Sequence, residues 1–472
     1  MIGVLRKIER LLESARLATW LLVFVGAWSV VATLVPQGDA VASWAAAHPT
    51  LESVVRVLDL HHAFTAPVFV AAVFLLAIST ALCAWTRTKV ALHRTRALRA
   101  ARTEDGSALV AKHDLEIECD SRIDSAEILS SAARALEGLG VRTKQSGNVL
   151  RSVSPWWSVW GSPLFHWGLL ALMVAVLIGS LQRSDGLMGV AVGQTVPDQP
   201  QSYGVLHTGP LHSWSRVHRS IRVDAFDTDY RTGNIDRGPT PTVSVLDAQG
   251  RVLKTQHIFP NSPLQTGTLT VHPAAFGFAV DLSLLDKSGV EFGHTTKLVD
   301  VVESAPEGTE PVGGLTISNR SGQQQDQAVV TVPLTREGDH FVVPDQRTAR
   351  VVVGTLAGKV VADRVLKPGE SIALPSGDTL RVDRVGFYAR LSVVDDGSIP
   401  YLYAAMAIAV IGLALTVIAR QQSVLVTSGE GADGAPRLFA SMRLWRNVPT
   451  NRNEVQTELA RVLGGNDKGS ES

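Results

Sequence analysis

Four apolar runs of about membrane length constrain this chain more than any other feature. They occupy residues 17–35, 67–86, 161–181 and 400–419. Each approaches the roughly 20 residues that a helix needs to cross a bilayer, and each is bounded by charge or aromatics. A soluble buried core explains such a set poorly. The first run closes on Pro36-Gln37-Gly38, a helix stop, and carries no A-x-A-type cleavage site, so it reads as a retained helix and not a signal peptide. The expectation is an integral membrane protein with four transmembrane α-helices.

Orientation follows from Lys and Arg near the ends of the runs. Arg6, Lys7, Arg10 and Arg16 precede the first, and Arg87, Lys89, Arg94, Arg96, Arg99 and Arg102 follow the second. Arg420 follows the fourth, with Arg437, Arg443 and Arg446 further on, whereas the loop 37–66 holds only Arg56. The expected topology therefore has a cytoplasmic N-terminus (1–16), an extracytoplasmic loop (36–66) and a cytoplasmic segment (87–160). A large extracytoplasmic region (182–399) and a cytoplasmic tail (420–472) complete it. The protein is expected to be multi-pass in the plasma (inner) membrane, with both termini cytoplasmic. Lys plus Arg and Asp plus Glu number 44 each, which argues against a nucleic-acid binder. Only two cysteines occur, Cys83 and Cys119, with no CxxC, so neither a disulfide framework nor a thiol oxidoreductase is indicated.

The segment after the second run opens with RTKVALHRTRALRAAR, a basic helical extension expected to lie near anionic lipid headgroups. HDLEIEC then alternates like a strand, SAEILSSAARALEGLG (Ser125–Gly140) has a serine cap and a glycine stop, and VRTKQSGNVLRSV reads as two short strands. This predicts a small α+β module. The region 182–399 is rich in short alternating segments punctuated by Gly, Pro, Asn and Asp, which predicts an all-β sandwich or barrel. The tail after Thr427 is polar and ends GGNDKGSES, so its last part is expected to be disordered.

His166 lies one turn into the third run, and an ionisable residue inside a membrane span is costly enough to suggest a function. Imidazole is a common metal and haem ligand. The competing reading is a histidine hydrogen-bonded to a neighbouring helix. Trp156, Trp157 and Trp160, just before it, read as an interfacial belt. His61 and His62 stand just before the second run, where an interfacial polar pair and a cofactor-proximal pair are both open readings. His207, His212 and His218 match no zinc spacing and read as loop histidines, and His272 and His294 as solvent-facing strand residues. No G-x-S-x-G nucleophile elbow is present, so no hydrolase is indicated.

The order of parts resembles the ResB-like (ResB/CcsB) proteins of the System II cytochrome c synthesis machinery. The local stretches SARLATWLLVFVGAWSVVATLVPQ, LDLHHAFTAPVFVAAVFLLAISTALCAWTR and FHWGLLALMVAVLIGSL are similar to that family's first three spans, the last carrying its histidine and glycine onto His166 and Gly168. IFPNSPLQTGTLTVHPAAFG resembles an Asn-x-Pro-Leu…Gly element, here Asn261, Pro263, Leu264 and Gly267, a candidate structural or partner motif. The chain departs from the family at Val271-His272-Pro273 and at Asp396-Gly397-Ser398-Ile399-Pro400. The resemblance implies a subunit of a cytochrome c haem-lyase complex, non-catalytic or co-catalytic, with haem b as transient cargo. It implies a ResC/CcsA-type membrane partner, apocytochrome c and a separate thioredoxin-like thiol reductase, and His166 as a haem ligand within the membrane. His61 and His62 are candidates for an external haem-proximal position. The alternative is a membrane-anchored scaffold whose β domain binds an envelope protein, with His166 a packing residue.

Overall fold

The computed structural model describes residues 11–12, 14–35, 44, 47–120, 123–300, 312–318, 323–333, 335–337, 340–342 and 347–463. The Pro36-Gln37-Gly38 stop, the basic residues Arg6, Lys7 and Arg10, and the terminal GGNDKGSES lie outside the described residues. The chain divides into two units, residues 1–176 with 400–472, and Leu177–Ile399.

Four helices among the described residues are long and apolar enough to cross a membrane. They are α1 (Ala15–Leu34), α2 (Pro67–Thr103), α3 (Gly161–Gln182) and α4 (Ile399–Ile418). Their surfaces carry many exposed large apolar side chains, among them Trp20, Leu22, Phe74, Ile411 and Ile418. In water such a surface would be a liability, and in lipid it is the solvated face. The 37 residues of α2 make a rod of about 55 Å, longer than the roughly 30 Å hydrocarbon core. The basic stretch is therefore one continuous helix with the apolar one, because nothing between Trp85 and Thr103 breaks it.

The first unit also contains a five-stranded sheet, in the order Leu115–Glu118, Pro436–Arg446, Gln421–Glu430, Val149–Val153, Lys144–Ser146. All its pairings are antiparallel. The predicted β-α-β-β segment is present, but it is incomplete by itself. Residues 421–463, expected as a separate polar tail, supply two of the five strands and the helix Arg452–Leu463. The reason is packing: Val424, Val426, Leu438 and Ala440 alternate toward one face, and Ile128, Leu129, Ala132 and Leu136 of Ser125–Gly138 close over it with Val455, Leu459 and Leu463. Cys119 sits in this core, where burial pushes its thiol up to about 11 and leaves it inert. Asn447, at φ 54 just past the last strand, donates from Nδ2 to the carbonyls of Thr416, Val417 and Ala419 and so caps the end of α4.

In the second unit two 17-residue strands, Leu269–Leu285 and Thr379–Asp395, pair antiparallel at the heart of a seven-stranded sheet. A four-stranded sheet built on Arg219–Thr232 and Ile235–Asp247 packs over one end of them, burying Ile221, Val223, Val243 and Val245 against Val271, Leu391 and Val393. A second four-stranded sheet, Val312–Ser318, Gln324–Thr331, Ala349–Thr355 and Val360–Leu366, packs over the other end on Phe278, Val280, Leu282 and Val382. Both contacts use the same face of the long strands, although a strand's face alternates with period two. Register shifts at Pro273/Ala275 and at Asp281/Leu282 make this work, since one extra residue restores the buried parity. Pro273 has no N–H to donate, so a bulge is where it fits. The Val271-His272-Pro273 departure from the family pattern is thus the lead-in to a bulge.

Candidate functional site

His166 stands on the second turn of α3, in the first unit. A 3₁₀ turn at Trp156–Trp160 leads into the helix after Pro155. Trp160 Nε1 donates to Thr95 Oγ1 at 3.1 Å and Trp167 Nε1 to Thr88 Oγ1 at 3.0 Å, which ties this end of α3 to α2. Two of the three tryptophans expected only as an interfacial belt, Trp156 and Trp160, therefore also make specific contacts, Trp156 lying under the Arg99 guanidinium at 5.6 Å.

The adjoining side of α3, about 100° round the helix, meets α4 backbone to backbone. A Cβ built on Gly161 would lie 2.5 Å from Thr416 N, one on Gly168 2.6 Å from Ala409 N, and one on Gly412 2.3 Å from Phe165 N. Only small residues allow this approach, the usual device for helix association without a hydrophobic drive. Gly168→Ile should therefore cost about 1–3 kcal/mol by overpacking, because the obstructing atoms are backbone and cannot rotate away. Thermal unfolding in detergent reads the loss, and an unchanged midpoint would show that the helices are not held by this contact.

The His166 ring is half-buried and edge-on to Phe165, with centroids 5.4 Å apart. Its Nδ1 lies 2.8 Å from the carbonyl oxygen of Ser162, one turn back in the same helix. A carbonyl only accepts, so Nδ1 carries the proton and donates. The lone pair then sits on Nε2. Among the described residues the hydrogen bond of His166 is the one to Ser162 of its own helix. An imidazole oriented by a backbone carbonyl through one nitrogen, with the other open, is the arrangement that metal-ligating histidines use.

His62 is not brought to it. His62 lies in a 3₁₀ turn before Pro67, with Nδ1 3.2 Å from Asp59 Oδ1, while Trp167, the residue after His166, reaches Thr88 near the middle of α2. Some twenty residues of helix, about 30 Å, separate the two. His61 occupies the same turn.

In the second unit Asn261 (φ 66) and Gly267 (φ 59) make tight turns around the short strand Leu264–Thr266. Leu264 is fully buried, and the Pro263 carbonyl accepts from Gln256 Nε2 at 3.1 Å. His207, expected in a loop, is in the strand Val205–Thr208 paired with Ser184–Ala191. His294 is half-exposed, with Nδ1 3.4 Å from Ser283 Oγ. His212 and His218 line a cavity of about 510 Å³ with Arg216, Arg219 and Asp395. His212 Nδ1 donates to the Gln182 carbonyl at 2.8 Å and its ring lies against Trp214. Behind this cavity, Arg219 bridges Asp198 and Asp395 at 2.7 Å each, and Tyr203 donates to Asp198 at 2.5 Å. Burial opposes the Arg219 charge, but the two carboxylates outweigh it and hold its pKa above the ordinary arginine value. Burial beside Asp198 also raises the Tyr203 hydroxyl. Sequence reading missed this network, since its members lie on four separate segments.

No cluster of three or more His, Cys, Asp or Glu able to hold a metal ion occurs among the described residues. A single open imidazole can therefore provide one ligand to an iron whose other bonds come from elsewhere.

The family model for the ResB-like family matches residues 15–456. A protein described as cytochrome c biogenesis protein CcsB from Trichormus variabilis is 24% identical over 468 residues, covering 96% of this chain and 90% of its own length. Proteins of the same description from Thermosynechococcus vestitus and Synechococcus sp. (strain CC9902) are 26% and 24% identical, covering 61% and 88% of this chain and 64% and 90% of their own lengths.

Proposed function

The chain belongs to the ResB-like family, and we propose on that premise that it is a membrane subunit of a System II cytochrome c synthase. In this reading it helps to carry haem across the membrane and to present it, with apocytochrome c, for covalent attachment. The observation that carries the proposal is His166, whose Nδ1 is spent on the Ser162 carbonyl so that Nε2 is left to ligate iron. Haem is a flat apolar macrocycle with two anionic propionates, so a protein groove with an axial ligand eases a crossing that lipid alone resists.

His166 would hold the cargo haem through Nε2, and a histidine of a ResC/CcsA-type partner would supply a second nitrogen ligand to the iron. The Lys and Arg distribution supports placing the basic end of α2, and with it His166, on the cytoplasmic side. That is where haem b would be loaded. The sheet-rich unit then lies outside, where it positions apocytochrome or the partner, with His61 and His62 at the same surface. The chain has no CxxC, and so a thioredoxin-like protein keeps the apocytochrome thiols reduced.

The test is the visible spectrum of the detergent-purified complex with its ResC/CcsA-type partner, for wild type and His166→Ala side by side. The expected result is a Soret band in the wild type that falls about tenfold or more in the variant. An intact complex without haem in either sample would favour the membrane-anchored scaffold.

A further inference from the structure

The basic end of α2 is more than a solvated charge run. Lys89, Val90, His93 and Arg94 of α2, with Arg443 and Trp445 of the strand Pro436–Arg446, line a cavity of about 450 Å³ in the first unit. That volume falls in the roughly 300–1,000 Å³ range of small-ligand sites. No carboxylate lines it. The cations are held in place by neutral partners: the Arg94 guanidinium lies 5.2 Å from the Trp445 ring and donates to Gln421 Oε1 at 3.0 Å, and Lys89 Nζ lies 5.3 Å over Trp85. Gln421 is in turn fixed by donating to the Ser158 carbonyl at 3.0 Å.

Arg94 is also surrounded by like charge, with Arg87 and Arg446 as the charged groups that act on it. Among the described residues, none of Arg87, Lys89, Arg94, Arg443 and Arg446 has an acidic side chain in ion-pair contact. Elsewhere in the same unit cations are paired, as Arg437 is with Glu116 and Asp433. A fold that immobilises a partly buried arginine beside two exposed ones without an acid is incomplete by itself, because the like charges repel and the partly buried one has lost some of its water. A counter-anion from outside completes it.

Position chooses the anion. Trp85 ends the apolar part of α2, and Lys89 to Arg94 follow between about one and two and a half turns later, at the depth of the headgroup layer. Tryptophan rings with one wet edge and snorkelling basic chains are at home there. We propose that this cavity binds the phosphodiester headgroup of an anionic phospholipid, with Arg94 and Arg443 as its principal phosphate contacts and Lys89 at the acyl-chain side. The phosphate would neutralise the Arg87–Arg94–Arg446 group and so tie the α2 extension to the five-stranded sheet at the membrane surface.

The test uses the full-length protein in mild detergent. Native mass spectrometry would count bound phosphatidylglycerol against phosphatidylcholine for wild type, Arg94→Gln/Arg443→Gln, Arg443→Gln alone, and Arg134→Gln as an exposed control on the helix Ser125–Gly138. Wild type should retain phosphatidylglycerol over phosphatidylcholine. Each cation removed should weaken binding about fivefold, so the double variant loses roughly 25-fold while the control is unchanged. Arg443 is exposed at the lip of the cavity, and its single variant decides the matter if the double variant misfolds. Equal retention of the two lipids, or undiminished phosphatidylglycerol binding by Arg443→Gln, would overturn the proposal. Displacement of the lipid by millimolar inorganic phosphate would overturn the lipid assignment in favour of a soluble phosphate.

Discussion

His166→Gly is expected to strip at least nine-tenths of the co-purifying haem from the complex, and added imidazole to restore a part of it. The magnitude follows from the role: altering even the outer-shell partner of a metal ligand commonly costs about 10–100-fold in affinity, and here the ligand itself is removed. Rescue follows from geometry. Deleting the side chain leaves a ring-sized space beside Phe165, and free imidazole can occupy it without the Ser162 hydrogen bond that normally aims the ring. Because the Ser162 contact is to a backbone carbonyl, Ser162→Ala should leave haem binding close to wild type. Glycine inside a helix costs about 1 kcal/mol, so His166→Ala is the companion that separates loss of the ligand from loss of helix. Absorption spectra across an imidazole titration make the measurement. Full haem retention in both variants would remove His166 from the haem path.

Arg219→Met should destabilise the sheet-rich unit by about 3–5 kcal/mol, the usual penalty for removing one partner of a buried ion pair. Asp198 is only 1% exposed, and Asp395 lies near the end of a long central strand just before α4. Without the guanidinium, Asp198 keeps among the described side chains the Tyr203 hydroxyl alone to balance a charge taken out of water. The double variant Arg219→Met/Asp198→Asn should recover part of the loss, since the uncompensated charge at Asp198 is then gone. Denaturant unfolding of the full chain in detergent, followed by tryptophan fluorescence, reads both. Strictly additive losses in the double variant would show that the two residues do not act as a pair.

How much of this was legible in sequence depends on the range of the interaction. The four spans could be read because length and apolar content are properties of a continuous segment: a helix long and apolar enough to cross a membrane covers each of the four runs, and the second continues through the basic stretch to Thr103. The helix Ser125–Gly138 and the strands around it could be read for the same reason. Residues 421–463 could not be assigned to that module. Their pairing with 115–153 spans α3, the whole second unit and α4, and no local pattern carries that information. The bulge at Pro273 looked like a lapse from a family pattern until the register of its partner strand was known.

The same division holds for the candidate site. The sequence by itself determined that a titratable ring lies inside an apolar helix, because hydropathy and spacing are one-dimensional, and the resemblance to the ResB-like family needed no more than motif order. It left the ligand and packing readings of His166 open. Only the tertiary structure decided which nitrogen is occupied, that His62 precedes α2 while the residue after His166 meets the middle of that helix, and that Arg94 meets Trp445 across a gap of hundreds of residues. Hydrogen-bond direction, separation through space and the absence of a counter-charge are relations between segments, and the chain acquires them only when side-chain packing and backbone pairing bring those segments together.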